Sequence, residues 1–440
     1  IGVAIDLVNG KFYAHQGNTY YNSGNPDNGT GAIVTSIPTG VDYFFTTSVD
    51  SGGPNFSEFK INFGQQGFQH QPSTFTDLAN SQSLDEPTIL LPNKHFGTLL
   101  YSAGSSNGTF NFTDSDAVDF FPDWTWIKCR SSAENHYLFD ALRGNVDITD
   151  KFLQANNTGT ETGSGVDGTT VSSIQNGIKI VETSIGSGEI YFTNRNYVTW
   201  NWNAGGSTVT NNDGAISSQV RTNSTAGFSI ITYTGDGGNP STVGHGLGVA
   251  ADVVIVKNRS YTANWGIFHH KNTSEPATEI IYLNSDSATQ DRAVFNDTLP
   301  TSTVFSVKAF DEVNNINQNY VAYCFSEVAG YSKFGSYTGN GSTDGSFVFT
   351  GFRPAFILLK RTNTAASWVI HDDKRAGYNG DNDYLHPDNS QAESDGSSGT
   401  LDILSNGFKL RMTAGTHNGS GDTFIYLAFA EAPFKYARAR

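Results

Sequence analysis

Three apolar runs that each carry a lysine near their end decide the fold of this chain: WIKCR (Trp126 to Arg130), VIVKNR (Val254 to Arg259) and ILLKRT (Ile357 to Thr362). Their apolar character is typical of interior strands in a two-sheet sandwich. The sequence around each lysine also repeats at nearly constant spacing. The three runs therefore indicate three copies of one module.

Four further positions recur relative to each lysine. A tyrosine precedes it by 23 to 27 residues, and an aliphatic residue follows it by ten. A bulky apolar residue follows at 48 to 50, and an aromatic residue opens the last strand at 63 to 69. In chain order these residues are Tyr101, Tyr233 and Tyr337; Leu138, Ile267 and Ile370; Ile178, Phe305 and Phe408; and Tyr197, Tyr320 and Phe424. The spacing predicts one fold used three times.

The composition favours an all-β protein. Of the 440 residues, 13% are aromatic and only 15% are charged, and Gly, Asn, Ser and Thr crowd the segments between apolar runs. Such polar segments are typical of turns between short strands. No window sustains a 3.6-residue apolar period over three turns, so long helices are not expected. We therefore predict tandem β-sandwich modules of jelly-roll or concanavalin-like type.

The predicted domain organisation has five parts. Residues 1–72 form a partial sandwich, and residues 73–95 form a connector. The first repeat with a trailing polar linker spans 96–226, the second repeat 227–333 and the third 334–440. The chain begins inside a predicted strand, so we expect a preceding segment in the complete protein.

Charge and cysteine content exclude several partners. The net charge is −16 and the pI about 4.9, so phosphate backbones would repel the chain and nucleic acid is not an expected partner. No apolar stretch reaches 18 residues, so no membrane insertion is expected. Cys129 and Cys324 fall in different repeats and are interpreted as small buried side chains, without a disulfide.

The N-terminal segment carries a hairpin signal and a resemblance. Two alternating runs flank Asn9-Gly10, and further strands are predicted at Tyr43 to Val49 and Phe59 to Phe63. The strings GVAIDLVNGKFY, SGNPDNGTGA and FKINFGQQGF resemble the C-terminal half of a SPRY domain, which is a concanavalin-like β-sandwich. The N-terminal half of a SPRY domain has no counterpart in this chain.

The repeats carry a second resemblance, which covers about four fifths of the chain. The strings WIKCRSSAENHYLFDALRG, YVTWNWNAGG, NYVAYCFSEVAGYSKFGSYTGNG and FIYLAFAEAPFKYARAR are similar to repeats in tail-fibre-like virion proteins of marine bacteriophages, especially cyanophages. The resemblance implies a structural protein on the extracellular virion surface, in contact with other virion proteins. It also implies a homo-oligomer, with the trimer of many phage fibres as the expected form.

Four residues are weak candidates for ligand contact. Trp265 and Trp368 both lie eight residues after their lysine, and an exposed tryptophan there would stack on a sugar face. The alternative is a core tryptophan, because core positions repeat when the fold repeats. His269 and His371 come from matching loops in which imidazole and carboxylate side chains recur, and both bind divalent metals. The alternative for them is an exposed polar loop.

The recurring lysines are interpreted as strand-end residues whose stems cover apolar surface while the ammonium groups reach water. A shared anion site is the alternative, which the acidic net charge of the chain opposes. No string places two carboxylates as glycosidases need, and no nucleophile elbow or phosphate loop is evident. The sequence therefore predicts no catalytic residues, no cofactor and no metal site.

These observations lead to three hypotheses. The first is a phage virion surface protein, in a tail fibre or similar appendage, which displays its modules and attaches to host-surface glycans. Repeated weak sites would gain affinity from their high effective concentration. The second is a purely structural capsid or tail decoration protein without a ligand. The third is a depolymerase of host polysaccharide.

Overall fold

The computed structural model describes residues 2–6, 9–16, 19–37, 88–104, 109–111, 118–144, 151–163, 166, 169–182, 189–375, 379, 382–395 and 399–430. Within these ranges the chain forms antiparallel sheets joined by turns and short 3-10 helices, which confirms the predicted all-β class. None of the helices there has the length and apolar character needed to span a bilayer. The chain divides into two compact units, Ile1–Glu86 and Pro87–Arg440.

The N-terminal unit contains the predicted hairpin. Its strands are β1 (Gly2–Asp6), β2 (Lys11–Gln16) and β3 (Thr19–Tyr20), followed by 3-10 helices at Tyr21–Ser23 and Pro26–Asn28. Strands β1 and β2 pair around Asn9-Gly10, where Gly10 takes a φ of 63° that an L side chain rarely adopts. The strands predicted at Tyr43 to Val49 and Phe59 to Phe63 lie outside the described residues, as does FKINFGQQGF.

The first repeat is a two-sheet sandwich preceded by a 3-10 helix at Pro92–Lys94. Its strands are β4 (Phe96–Ser102), β5 (Thr109–Asn111), β6 (Trp124–Cys129), β7 (His136–Asp140), β8 (Leu153–Gln154), β9 (Thr169–Ile174), β10 (Gly177–Glu182) and β11 (Asn196–Trp202). The main sheet has the order β4-β11-β6-β7-β8, and the smaller sheet has the order β5-β10-β9.

The second repeat has the same main sheet with additions at both edges. Its strands are β12 (Val209–Asn211), β13 (Ser218–Asn223), β14 (Phe228–Thr234), β15 (Ser241–Gly244), β16 (Val253–Asn258), β17 (Gly266–His269), β18 (Glu279–Tyr282), β19 (Gln290–Asp291), β20 (Val304–Val307) and β21 (Asn319–Phe325), with 3-10 helices at Pro276–Thr278 and Ala293–Phe295. The main sheet runs β12-β13-β14-β21-β16-β17-β18-β19, and β15 pairs with β20.

One predicted boundary is wrong. The segment expected to trail from the first repeat as a polar linker to residue 226 contains β12 and β13, which extend the sheet of the second repeat next to β14. An edge strand presents unpaired backbone groups, and this hairpin satisfies those of β14. Val220 of β13 is buried in the core of the second repeat, so the hairpin is part of that domain.

The third repeat returns to the simpler form. Its strands are β22 (Ser332–Thr338), β23 (Phe347–Phe349), β24 (Pro354–Arg361), β25 (Val369–Asp372), β26 (Leu401–Leu404), β27 (Gly407–Leu410) and β28 (Thr423–Ala430). The sheets have the orders β22-β28-β24-β25 and β23-β27-β26. In all three repeats the lysine-bearing strand lies between the last strand of the repeat and the strand that follows the lysine.

Strand pairing explains the recurring aromatic positions. Each tyrosine of the first strand pairs directly with the aromatic residue that opens the last strand, and the two rings stack with centroids 4.7 to 5.1 Å apart. Each tyrosine hydroxyl donates to a backbone carbonyl of the same repeat: those of Ile190, Val313 and His417. The tyrosine therefore packs its ring on the sheet and satisfies its buried hydroxyl.

The two faces of each main sheet bury different cores. On the lysine-bearing strands, Ile127, Val256 and Leu359 face the smaller sheet of their own repeat. Their neighbours Trp126, Ile255 and Leu358 face the opposite way, because successive strand residues alternate between faces. All three of these neighbours enter one common cluster, here named the central core.

The central core joins the three repeats into one body. It contains buried residues from all three main sheets, including all six tryptophans. The ring of Phe429 lies 5.6 Å from that of Phe96 in the first repeat and 5.7 Å from that of Phe325 in the second. Aromatic rings bury large apolar areas, so the sheets are held together mainly by the hydrophobic effect.

Candidate functional site

The three recurring lysines link the repeats in a closed ring. Each side chain is fully buried, and each ammonium donates to one carbonyl six residues ahead in its own repeat and one in the preceding repeat. The pairs are Lys257 with Ala263 and Thr158, Lys360 with Ala366 and Asp286, and Lys128 with Glu134 and Ser390, at 2.6 to 3.1 Å. We name these contacts junctions 1–2, 2–3 and 3–1.

The interpretation of these lysines as strand-end residues with hydrated ammonium groups is therefore wrong. The sheets converge on a shared core, so the strand ends that would face water in an isolated sandwich face a neighbouring repeat. Burial lowers the pKa of Lys257 to about 7, and those of Lys128 and Lys360 to about 8. Two carbonyls at each site accept from the amine in either protonation state.

The candidate tryptophans also belong to the junctions. Trp265 is fully buried, and its indole N–H donates to the carbonyl of Gln154 in the first repeat at 2.9 Å. Trp368 is likewise buried and donates to the carbonyl of Tyr282 in the second repeat at 2.8 Å. The expectation that these rings could stack on a sugar is corrected, because neither ring has exposed surface.

The first repeat has a histidine where the others have these tryptophans. His136 is fully buried and interacts with the backbone of His386 in the third repeat, without meeting the geometry of a full hydrogen bond. Burial lowers its pKa, so the ring is neutral. One residue position therefore contacts the preceding repeat at all three junctions.

The position twelve residues after each lysine makes a third set of contacts, with the last strand of the next repeat. Asp140 accepts from the Tyr323 hydroxyl at 2.7 Å, and Asp372 accepts from the Trp200 indole at 3.0 Å. His269 occupies this position in the second repeat, fully buried, with its Nε2 3.2 Å from the carbonyl oxygen of Tyr426. The expectation of an exposed loop here is corrected.

Ion pairs reinforce two of the three junctions. At junction 1–2, Glu161 contacts Arg259 of the second repeat at 2.9 Å and Arg143 of its own repeat at 3.4 Å. At junction 3–1, Glu393 contacts Arg130 and Arg375 in the same arrangement, each at 2.8 Å. We name each set of one glutamate and two arginines a clamp.

Junction 2–3 replaces the clamp with neutral groups. The backbone N–H of Thr289 donates to the carbonyl of Thr362 at 2.9 Å, and its hydroxyl donates to Asn272 at 2.7 Å. Thr289 makes the same backbone bond as the two clamp glutamates, although by count from the lysine it is one residue earlier. Thr362 and Asn272 lie two and fifteen residues after their lysines, as the clamp arginines do. This junction therefore lacks the charges that the other two bury.

The candidate His371 lies in a cluster of aromatic side chains in the third repeat. It is fully buried, with its Nε2 3.0 Å from that of His417, and its ring lies 5.8 Å from that of Tyr384. Burial lowers the pKa of His371 and lowers that of His417 to about 3, so both rings are neutral. In the ranges that the structure describes, no three histidine, cysteine or acidic side chains converge as metal ligands.

Two polar clefts open on the surface of the described part of the chain. The first, of about 310 Å³, lies at junction 3–1 and uses residues of the clamp, Arg130 and Glu393, in its walls. The second, of about 350 Å³, lies in the second repeat between the loop around Asn264 and the segment that contains Phe310. The second cleft, which we name the repeat-two cleft, is the stronger candidate for a ligand because the walls of the first include clamp residues that already hold the scaffold together.

Sequence reasoning missed the clamps and the repeat-two cleft. A signal for the clamps is present: Arg143 and Arg375 both lie fifteen residues after their lysine, and Glu161 and Glu393 both lie thirty-three residues after it. Charged residues that recur in a chain with so few of them are candidates for buried pairs. The cleft has no comparable signal, because its side chains come from three separate segments.

No curated protein matches this chain. A family model matches residues 91–433, which include all the described strands of the three repeats. The match spans more than three quarters of the chain, so one family model covers all three repeats. The chain therefore belongs to the family described as a domain of unknown function, DUF7483.

Proposed function

We propose that this chain is a surface component of a bacteriophage virion, in a tail fibre or similar appendage, that displays a ring of three β-sandwich domains and attaches to host-surface glycans. The single observation that carries the proposal is that the recurring polar residues lie between the repeats and not on the surface. The lysines, the clamp residues and the tryptophans are all directed into the junctions. The repeated chemistry thus builds a scaffold, and loops outside the junctions are left for recognition.

A shared core and closed junctions suit an element that must keep its shape on a particle surface. Each repeat is held by both of the others, so no repeat can move without exposing apolar surface of the central core. The proposal includes contacts with other virion proteins and a homo-oligomer, with a trimer as the expected form. It also includes the SPRY-like character of the N-terminal segment.

The purely structural alternative, a decoration protein without a ligand, has one observation in its favour. The side chains that sequence reasoning had selected for ligand contact are buried and serve packing. A decoration protein needs only the scaffold, whereas an attachment protein also needs an accessible site. The repeat-two cleft is such a site, and for this reason we prefer the attachment role.

Two measurements test the proposal. Antibodies against the purified chain should label intact virions of the virus that encodes it, as seen by electron microscopy. The purified chain should also bind host cells, and soluble host glycans should compete with that binding. Labelling without cell binding would favour the decoration protein, and unlabelled virions would refute the proposal. Shortening of host polysaccharide by the chain would instead support a depolymerase.

A further inference from the structure

We infer that the repeat-two cleft binds a neutral hexopyranose residue. This inference rests on the proposed attachment role and names its ligand class and its site. The cleft measures about 350 Å³, near the lower end of the range of about 300–1,000 Å³ for small-molecule sites. That size suits one or two sugar rings. The side chains that line the cleft include Thr262, Asn264, Arg292, Phe310, Asp311 and Glu312.

The polar groups of the cleft are held in place by partly buried contacts. Arg292 contacts Glu312 at 2.9 Å and the hydroxyl of Tyr282, and its guanidinium lies 5.1 Å from the centre of the Phe310 ring. Asn284 donates to the side-chain oxygen of Asn264 at 2.9 Å. A ligand would therefore meet a site that is already ordered, which reduces the entropy cost of binding.

The mixture of groups selects the ligand class. The carboxylates of Asp311 and Glu312 accept hydrogen bonds, while the guanidinium of Arg292 donates them. Thr262 and Asn264 can do both. Sugar hydroxyl groups also donate and accept, so they match this mixture of groups. The cleft carries two carboxylates and one guanidinium, so it favours neither an anion nor a strongly apolar ligand.

Comparison of the three repeats separates this cleft from the scaffold. Counted from the tyrosine-bonded carbonyls, Phe310 and Asp311 correspond to Ser187 and Gly188 in the first repeat and to Ala414 and Gly415 in the third. The junction residues recur because the fold needs them three times. A ring and a carboxylate that occur in one repeat only are not required by the fold.

A tyrosine next to the cleft also has no counterpart in the other two repeats. Tyr261 immediately precedes the lining residue Thr262, and 55% of its surface is exposed. The same position, four residues after the lysine, holds Ser132 in the first repeat and Thr364 in the third. An exposed tyrosine offers a flat ring with a polar end, which suits contact with a sugar. The second repeat thus concentrates its non-recurring aromatic and acidic residues at one place.

The test uses the full chain and methyl glycosides of glucose, galactose and mannose as probes, observed by saturation-transfer NMR and calorimetric titration. At least one of the three should bind. Asp311→Asn and Tyr261→Ser should each weaken its binding about tenfold, because each removes a group that meets the ligand. The serine variant carries the residue that the first repeat has at this position. Asp344→Asn is the matched control, since Asp344 is an exposed carboxylate in the third repeat.

Several outcomes would overturn the inference: no binding of any of the three glycosides, unchanged binding in both variants with the wild-type melting temperature, or preference for glucosamine or glucuronate over the neutral sugars. The third outcome would assign the cleft to a charged ligand. None of these results bears on labelling of the virion, so the proposed surface location succeeds or fails by its own measurement.

Discussion

Substitution of the clamp glutamate at junction 3–1 should destabilise the whole ring. The carboxylate of Glu393 is 12% exposed and accepts from Arg130 and from Arg375, which is 1% exposed. Removal of one partner from a buried pair costs about 3–5 kcal/mol. Arg375 keeps its second carboxylate, Asp372, at 2.6 Å, so part of its charge stays compensated. We therefore expect Glu393→Gln to lower the free energy of unfolding by about 2–4 kcal/mol.

Urea denaturation followed by tryptophan fluorescence measures this effect directly, since six tryptophans lie in the central core. Glu161→Gln should have a similar effect, because Glu161 occupies the same position at junction 1–2. Thr289→Val at junction 2–3 should cost only about 1 kcal/mol, since it removes one neutral hydrogen bond. Asp344→Asn, at an exposed ion pair, should leave the urea midpoint close to that of the wild type. A Glu393→Gln variant no less stable than Asp344→Asn would refute the role of the clamp.

Three further predictions concern the same scaffold. The folded-state pKa values of the three lysines, about 7 to 8, lie below the unfolded value of 10.5. The native state therefore binds fewer protons than the unfolded state between these limits, and the free energy of unfolding should rise from about pH 7 to about pH 9. A fall in the urea midpoint over that range would contradict this prediction. Trp368→Phe should cost about 1–3 kcal/mol in the same assay, since it leaves the buried carbonyl of Tyr282 without its donor, while hexoside binding stays unchanged. Fluorescence and far-ultraviolet circular dichroism should report one common unfolding midpoint, because the repeats share a core; separate midpoints would show independent domains.

Much of the fold could be predicted from the sequence because its determinants are local. The lysine-bearing runs become central strands, and the tyrosines pair with the aromatic residues that open the last strands. Asn9-Gly10 forms its hairpin. Strand periodicity and turn chemistry act over a few residues, so composition and spacing are enough to reveal them.

The ring could not be predicted, because its contacts connect distant backbone groups. The ammonium of Lys128 reaches a carbonyl 262 residues away, and that of Lys257 one 99 residues away. Every residue has a carbonyl, so the acceptors have no sequence signature. A recurring lysine in an isolated sandwich would be expected to keep its charge in water. The same lysine becomes buried only when a second copy of the fold covers it.

Chain connectivity gives a reason for the clamp at junction 3–1. The second and third repeats are joined by the short segment between Phe325 and Ser332, and the junction between them has no clamp. Junction 3–1 joins the two ends of the repeat array, where no direct connection between neighbouring repeats holds the surfaces together, and it carries a complete clamp. A short covalent connection keeps two surfaces at high effective concentration, so fewer specific contacts are needed to hold them. Junction 1–2 also has a clamp, although a connection of similar length, between Trp202 and Val209, joins its two repeats. Buried ion pairs add less stability than apolar contacts of the same size, but they penalise misalignment. The clamp at junction 3–1 therefore fixes the register of the ring where no direct connection constrains it, and connectivity does not account for the clamp at junction 1–2.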